Sequence, residues 1–185
     1  MQLFAFTRPA AAIEVALIAA VATAAFTDLR WRRIPNWLTV STLAVGFLLN
    51  ALICNPWWAG LWLAAKGFAL AFGLNLLMYI LRMTGAGDLK LMAAIGALVG
   101  CSDFLGIFVF NALIGGVLGL VLAATKRRLR GTLWNMGYML SELAKGRPPY
   151  LAREQLDVAS PQALTLPRAV PICLGAFAFL VLAHS

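Results

Sequence analysis

The sequence predicts an all-α, polytopic integral membrane protein, with about six transmembrane helices in one bundle. Three observations predict it. The 185-residue chain is 62% hydrophobic and only 12% charged, where soluble domains run near half apolar and about a quarter charged. Apolar runs close to the roughly 20 residues that cross a bilayer recur at about 10–27, 38–54, 61–81, 88–102, 104–125 and 166–183. All of the 15 Lys and Arg except Arg8 and Lys66 fall in or beside alternate links between those runs.

The elements follow in chain order. The first run has only Arg8 before it, carries Glu14 and is followed at once by Asp28 and Arg30. These are not the flanks of a cleaved signal, so it counts as a span. The link "DLRWRRIPN" is a shaped turn, because Pro35 drives Ile34 out of helical geometry and can open the next helix. The link "NPWWAG" puts Trp57 and Trp58 where tryptophan suits a membrane interface. The fourth run is short: 15 residues from Asp88 to Ser102 give about 22 Å of helix against about 30 Å of hydrocarbon. The long link, 126–165, begins with Leu129, Leu133, Met136, Leu140 and Leu143 at helical spacing. That half reads as an amphipathic helix on the inner surface, and the proline-containing second half as irregular. The whole of 1–185 is then a single membrane-embedded domain.

A net charge of +8 could signal nucleic acid in a soluble protein; here it reads as topology, and no nucleic-acid partner is expected. Basic residues collect on cytoplasmic loops, so 29–37, 82–87 and 126–165 face the cytoplasm and both termini the periplasm. Cys54, Cys101 and Cys173 form no CxxC pair, so neither a metal site nor a cofactor is expected. A disulfide between Cys54 and Cys101 is one reading; small apolar residues inside helices are the favoured one.

Seven acids remain. Glu142, Glu154 and Asp157 fall in the long link and Asp103 in the link after span four, where water would solvate them. Glu14 lies near the outer interface, and with Lys66 is expected to share an outer cavity or to pair. Asp28 and Asp88 both fall at the cytoplasmic end of a span. Asp28 alone reads as a loop acid balanced by Arg30, Arg32 or Arg33, at a helix end whose dipole opposes it. Asp88 alone reads as a helix N-cap after two punctuating glycines. The shortness of its span puts it below the membrane surface, where an acid is a functional candidate. Gly85 and Gly87 would let the backbone unwind there and a substrate chain approach closely. Together the two acids suggest a dyad that shares one proton: one carboxylate draws a proton from water while the other hydrogen-bonds the scissile carbonyl. His184 is the one histidine, and no HExxH or GxSxG is present.

These residues carry a resemblance. "GAGDLKL" looks like the GxGD motif of intramembrane-type aspartyl peptidases, and "DLRWRRIPNWLT" is similar to the D-x-R-x-x-x-I-P-N signature of type IV prepilin peptidases. The resemblance implies Asp28 and Asp88 as the catalytic pair, and Gly85 and Gly87 as shapers of the second aspartate's turn. It implies cleavage of the short basic leader of prepilins or pseudopilins, themselves held in the lipid bilayer, at the cytoplasmic face of the bacterial inner membrane. The sequence lacks the cysteine-pair segment of the long forms, so it resembles the short forms linked to Flp or tight-adherence pili, and methyltransferase activity is not expected. Before the last run it reads "LPRAVPICLG", with Arg168 where the family often has tyrosine. The small residues Ala93, Ala94, Gly96 and Ala97 beyond Asp88 are expected to receive the substrate's apolar helix. The alternative is a small proton-coupled transporter or channel, but a relay wants acids near mid-membrane, whereas these lie at one face.

Overall fold

The computed structural model describes residues 10–81, 84–126, 134 and 169–184. Among them every regular element is a helix: α1 (Ala11–Trp31), α2 (Asn36–Ile53), α3 (Trp57–Ile80), α4 (Ala86–Thr125) and α5 (Ala169–His184). Four are long and apolar enough to cross a membrane, and α5 is a shorter apolar helix. The protein is a multi-pass, all-helical membrane protein. The readings of the long inner link lie outside the described residues, apart from Trp134, which is helical and exposed.

Local chemistry sets the boundaries. Helix α1 stops at Arg32, which sits in the left-handed region (φ 50°) while its N–H bonds back to the Asp28 carbonyl. Such a conformation is costly for a residue with a Cβ, and it turns the chain sharply into Ile34 and Pro35. Pro35 precedes the first residue of α2, where its fixed φ suits a helix start. Trp57 and Trp58 begin α3 itself, rather than standing in the link before it.

The 40 residues of α4 would make about 60 Å of helix, twice the thickness of the hydrocarbon layer. The helix is broken at Gly100, whose backbone (φ 81°, ψ −178°) is open essentially to glycine alone. It therefore comprises two arms, 86–99 and 101–125. The predicted fourth and fifth spans are these arms, joined at Gly100 with no intervening link. Asp103, expected in a solvated link, is 2% exposed inside the second arm and accepts a hydrogen bond from Ser102 Oγ at 3.1 Å. A break made at one glycine leaves no loop to hold it in water.

A helix interrupted in this way strands carbonyls that lose their i+4 donors. The buried Asn50 of α2 supplies replacements: its Nδ2 donates toward Ala97 O (3.2 Å), Leu98 O (3.0 Å) and Gly46 O (2.8 Å). Small residues allow this close approach. A Cβ on Gly46 would stand 2.9 Å from the Leu98 nitrogen, and one on Gly67 would collide with the Gly96 carbonyl. Along α3 the buried positions Gly60, Ala64, Gly67, Ala71 and Asn75 form one seam at helical spacing, the packing that van der Waals contact favours in lipid. The expected docking stripe Ala93, Ala94, Gly96 and Ala97 is buried against this seam and α2, so the protein's own helices occupy it.

Helix α5 closes the bundle between α1 and α4. Gly175 abuts the Asn111 backbone, and Ile172, Ala176 and Phe179 join Leu17 and Val21 of α1 with Leu91 and Ile95 of α4 in one apolar core. At the end where α1 begins and α5 finishes, Glu14 Oε1 lies 3.3 Å from His184 Nε2. Glu14, in the first turn of α1, sits at the helix end a carboxylate prefers. Glu14 thus pairs with His184 and not with Lys66, which is exposed on the outward face of α3. Cys54, Cys101 and Cys173 are free.

Candidate active site

Asp28 lies inside the last turn of α1, not beyond it, and is 8% exposed. The negative end of its own helix opposes a carboxylate there. Another element offsets this: Asp28 Oδ2 accepts a buried hydrogen bond of 3.0 Å from the backbone N–H of Ala169, the first residue of α5. The N-terminal turn of α5 thus presents an orphan donor and the positive end of a dipole to the acid.

Asp88, 9% exposed, stands at the third position of α4, and Gly85 is the N-cap. The Gly85 N–H donates to Asp88 Oδ2 at 3.3 Å, the N-terminal half of a capping box. Neither Gly85 nor Gly87 has positive φ. A Cβ on Gly85 would lie 3.5 Å from Asp88 Oδ2, and one on Gly87 3.5 Å from the Ile34 Cβ, which is ordinary contact. Thr84, one residue earlier, has the one buried side-chain oxygen or nitrogen without a hydrogen-bond partner among the described residues.

The two motif segments dock on each other. Ile34 packs over Gly87, and Lys90 Nζ donates to Asn36 Oδ1 at 3.1 Å. The turn after Asp28 is therefore clamped to the helix start that carries Asp88. Both carboxylates are buried at one end of the bundle, opposite the Glu14–His184 pair. Each takes a backbone N–H from a helix N-terminus, one from α4 and one from α5.

Sequence reasoning did not find Ala169. A backbone amide leaves no signature in residue type, and the nearest signal was Pro171, tolerated in a first helical turn. Asn50 was also missed, although a lone amide in an apolar run is a fair marker of buried backbone that needs a donor.

Fold and site together describe a polytopic helical membrane protein with two buried carboxylates clamped at one end. The model of the type IV leader peptidase family matches residues 15–120, more than half of the chain, so the protein belongs to that family. It is also similar to the prepilin leader peptidase/N-methyltransferase of Bacillus subtilis (strain 168), 34% identical over 120 residues. That match covers 61% of this chain and 45% of the relative. No solved structure matches the chain.

Proposed function

We propose that this protein is a membrane aspartic endopeptidase that cleaves the leader peptide of type IV prepilins, of the Flp kind, at the cytoplasmic face of the inner membrane. The observation that carries this reading is the clamp between the two motif segments, Ile34 on Gly87 and Lys90 on Asn36. Family membership supports the peptidase class.

In this reading Asp28 and Asp88 form a dyad in which one carboxyl is ionised and the other protonated. The ionised carboxylate takes a proton from a water, whose oxygen attacks the scissile carbonyl carbon. The protonated partner hydrogen-bonds the carbonyl oxygen and delivers its proton as the tetrahedral diol forms. Collapse of the diol breaks the C–N bond and returns a proton to the leaving amine. Gly85 places no side chain of its own beside Asp88, so an extended leader can approach there, while Gly87 makes room for Ile34.

The test is incubation of the purified, detergent-solubilised protein with a Flp prepilin, followed by sequencing of the new N-terminus. Asp28→Asn and Asp88→Asn should each abolish cleavage while leaving the protein folded by size exclusion and thermal melt. Cleavage that survives either change removes that residue from the dyad. Methyl transfer is no part of the proposal, so the mass of the cleaved product should show an unmodified N-terminus even with a methyl donor added.

A further inference from the structure

Lys66 is a cation without an ion pair among the described residues. It lies within a membrane-spanning helix, and none of the described carboxylates serves it. Glu14 is engaged by His184, Asp103 is buried with Ser102, and Asp28 and Asp88 stand at the opposite end. The buried seam of α3 runs through Gly60, Ala64 and Gly67. Lys66 is on the other side, in a lateral groove lined by Trp58, Ala59, Trp62 and Leu63. Trp58, Trp62 and Lys66 succeed one another at four-residue spacing, so they share one face, and the two indoles are 56% and 61% exposed.

Depth decides what the groove holds. Helix α3 has 24 residues, about 36 Å, which exceeds the hydrocarbon layer by about 6 Å. Tryptophan is favoured at headgroup level, which places that overhang at the first turn, with Trp57 and Trp58. The Lys66 Cα then lies about 8 Å below that boundary. Helical side chains lean toward the N-terminus, and a lysine stem snorkels toward water. The ammonium is thus directed along Trp62 toward the phosphates. A charge left alone at that depth is unfavourable, and the ligand of opposite sign within reach is a lipid phosphate.

We propose that the Trp58–Trp62–Lys66 groove is a binding site for the phosphate of an anionic phospholipid, in the leaflet at the α2–α3 end of the bundle. The indoles flank the glycerol region and Lys66 donates to the phosphate oxygens. This site is independent of the peptidase reading.

Native mass spectrometry of the full-length protein, titrated with phosphatidylglycerol, tests it. Lys66→Gln should weaken the tightest lipid-binding step about tenfold, the worth of one charge-assisted hydrogen bond. Lys66→Arg should restore it, and Lys126→Gln, exposed after the end of α4, should leave it unchanged. In vesicles, brominated phosphatidylglycerol should quench wild-type tryptophan fluorescence more than brominated phosphatidylcholine, and Lys66→Gln should remove that difference. Equal lipid affinity of wild type and Lys66→Gln, or an equal loss in Lys126→Gln, overturns the proposal.

Discussion

Replacing Ala169 by proline deletes one hydrogen and tests whether α5 supports the proposed dyad. The Ala169 N–H is the donor to Asp28 Oδ2 at 3.0 Å, and proline has none. Proline is well suited to the first position of a helix, because its φ is already helical and the missing N–H would be an orphan. The perturbation is thus local, apart from ring carbons entering a fully buried position. A hydrogen bond to a charged group contributes about 1.5–3 kcal/mol. If the reaction needs Asp28 held in that orientation, kcat/KM for leader cleavage should fall roughly ten- to a hundredfold. Ala169→Gly retains the N–H and should cleave within about threefold of wild type, even where the lost methyl lowers the melting temperature. The assay is cleavage of one Flp prepilin by variants matched for monodispersity and melting temperature. A proline variant that cleaves like wild type refutes the reasoning. So does a glycine variant that falls as far as proline, since packing and not the amide would then be responsible.

The remaining predictions concern the scaffold. Gly100→Ala forces a Cβ into a conformation with φ 81° and should destabilise the protein by about 1–3 kcal/mol, read as a lower melting temperature in detergent. An unchanged melt would show that the break can relax. Asn50→Leu leaves the Ala97 and Leu98 carbonyls without the side-chain donor they have now and should cost about 1–3 kcal/mol, whereas Ser41→Ala, at an exposed hydroxyl, should change the melt by less than about 0.5 kcal/mol. Gly87→Leu drives a side chain into Ile34 and should slow cleavage more than Lys126→Gln does; the reverse order would mean that recognition of the leader is electrostatic.

Much of the fold could be read from the sequence because it is written in long stretches. Apolar runs of spanning length and basic residues in alternate links are properties of whole segments, so they survive an error of a few residues at each end. What could not be read depends on single atoms. Gly100 reads like the other glycines of α4, yet its conformation alone turns a loop into a break and carries Asp103 from water into the bundle. The stripe Ala93–Ala97 was legible as a packing surface but not its occupant, because small residues admit a partner helix of this chain as readily as one from a substrate. Depth along the spans makes Glu14 and Lys66 natural partners, but the residue that meets Glu14 is His184, from the far end of the sequence. At the candidate site the sequence singled out both acids and the Ile34–Asn36 turn, but not the contacts of Ile34 with Gly87 and of Lys90 with Asn36. Those depend on how α1, α2 and α4 pack.

The support for Asp88 reaches far from it. The first arm of α4 runs twelve residues from Asp88 to the break at Gly100, about 18 Å, and residues 91–99 are buried throughout. It is fastened at its far end by Asn50 and in the middle by Gly67 and Ala71 packed on Gly96. A carboxylate carried on so constrained an element is held by the packing of the whole arm, the kind of support a precise site requires. Asp28 is held differently, on a helix that ends three residues later at Trp31, just before the strained Arg32, with its carboxylate tied across to α5. One acid is fixed by its own helix and the other by a neighbour's backbone. Disturbing α5 should therefore move Asp28 and leave Asp88 in place, and disturbing the Gly100 break should do the opposite.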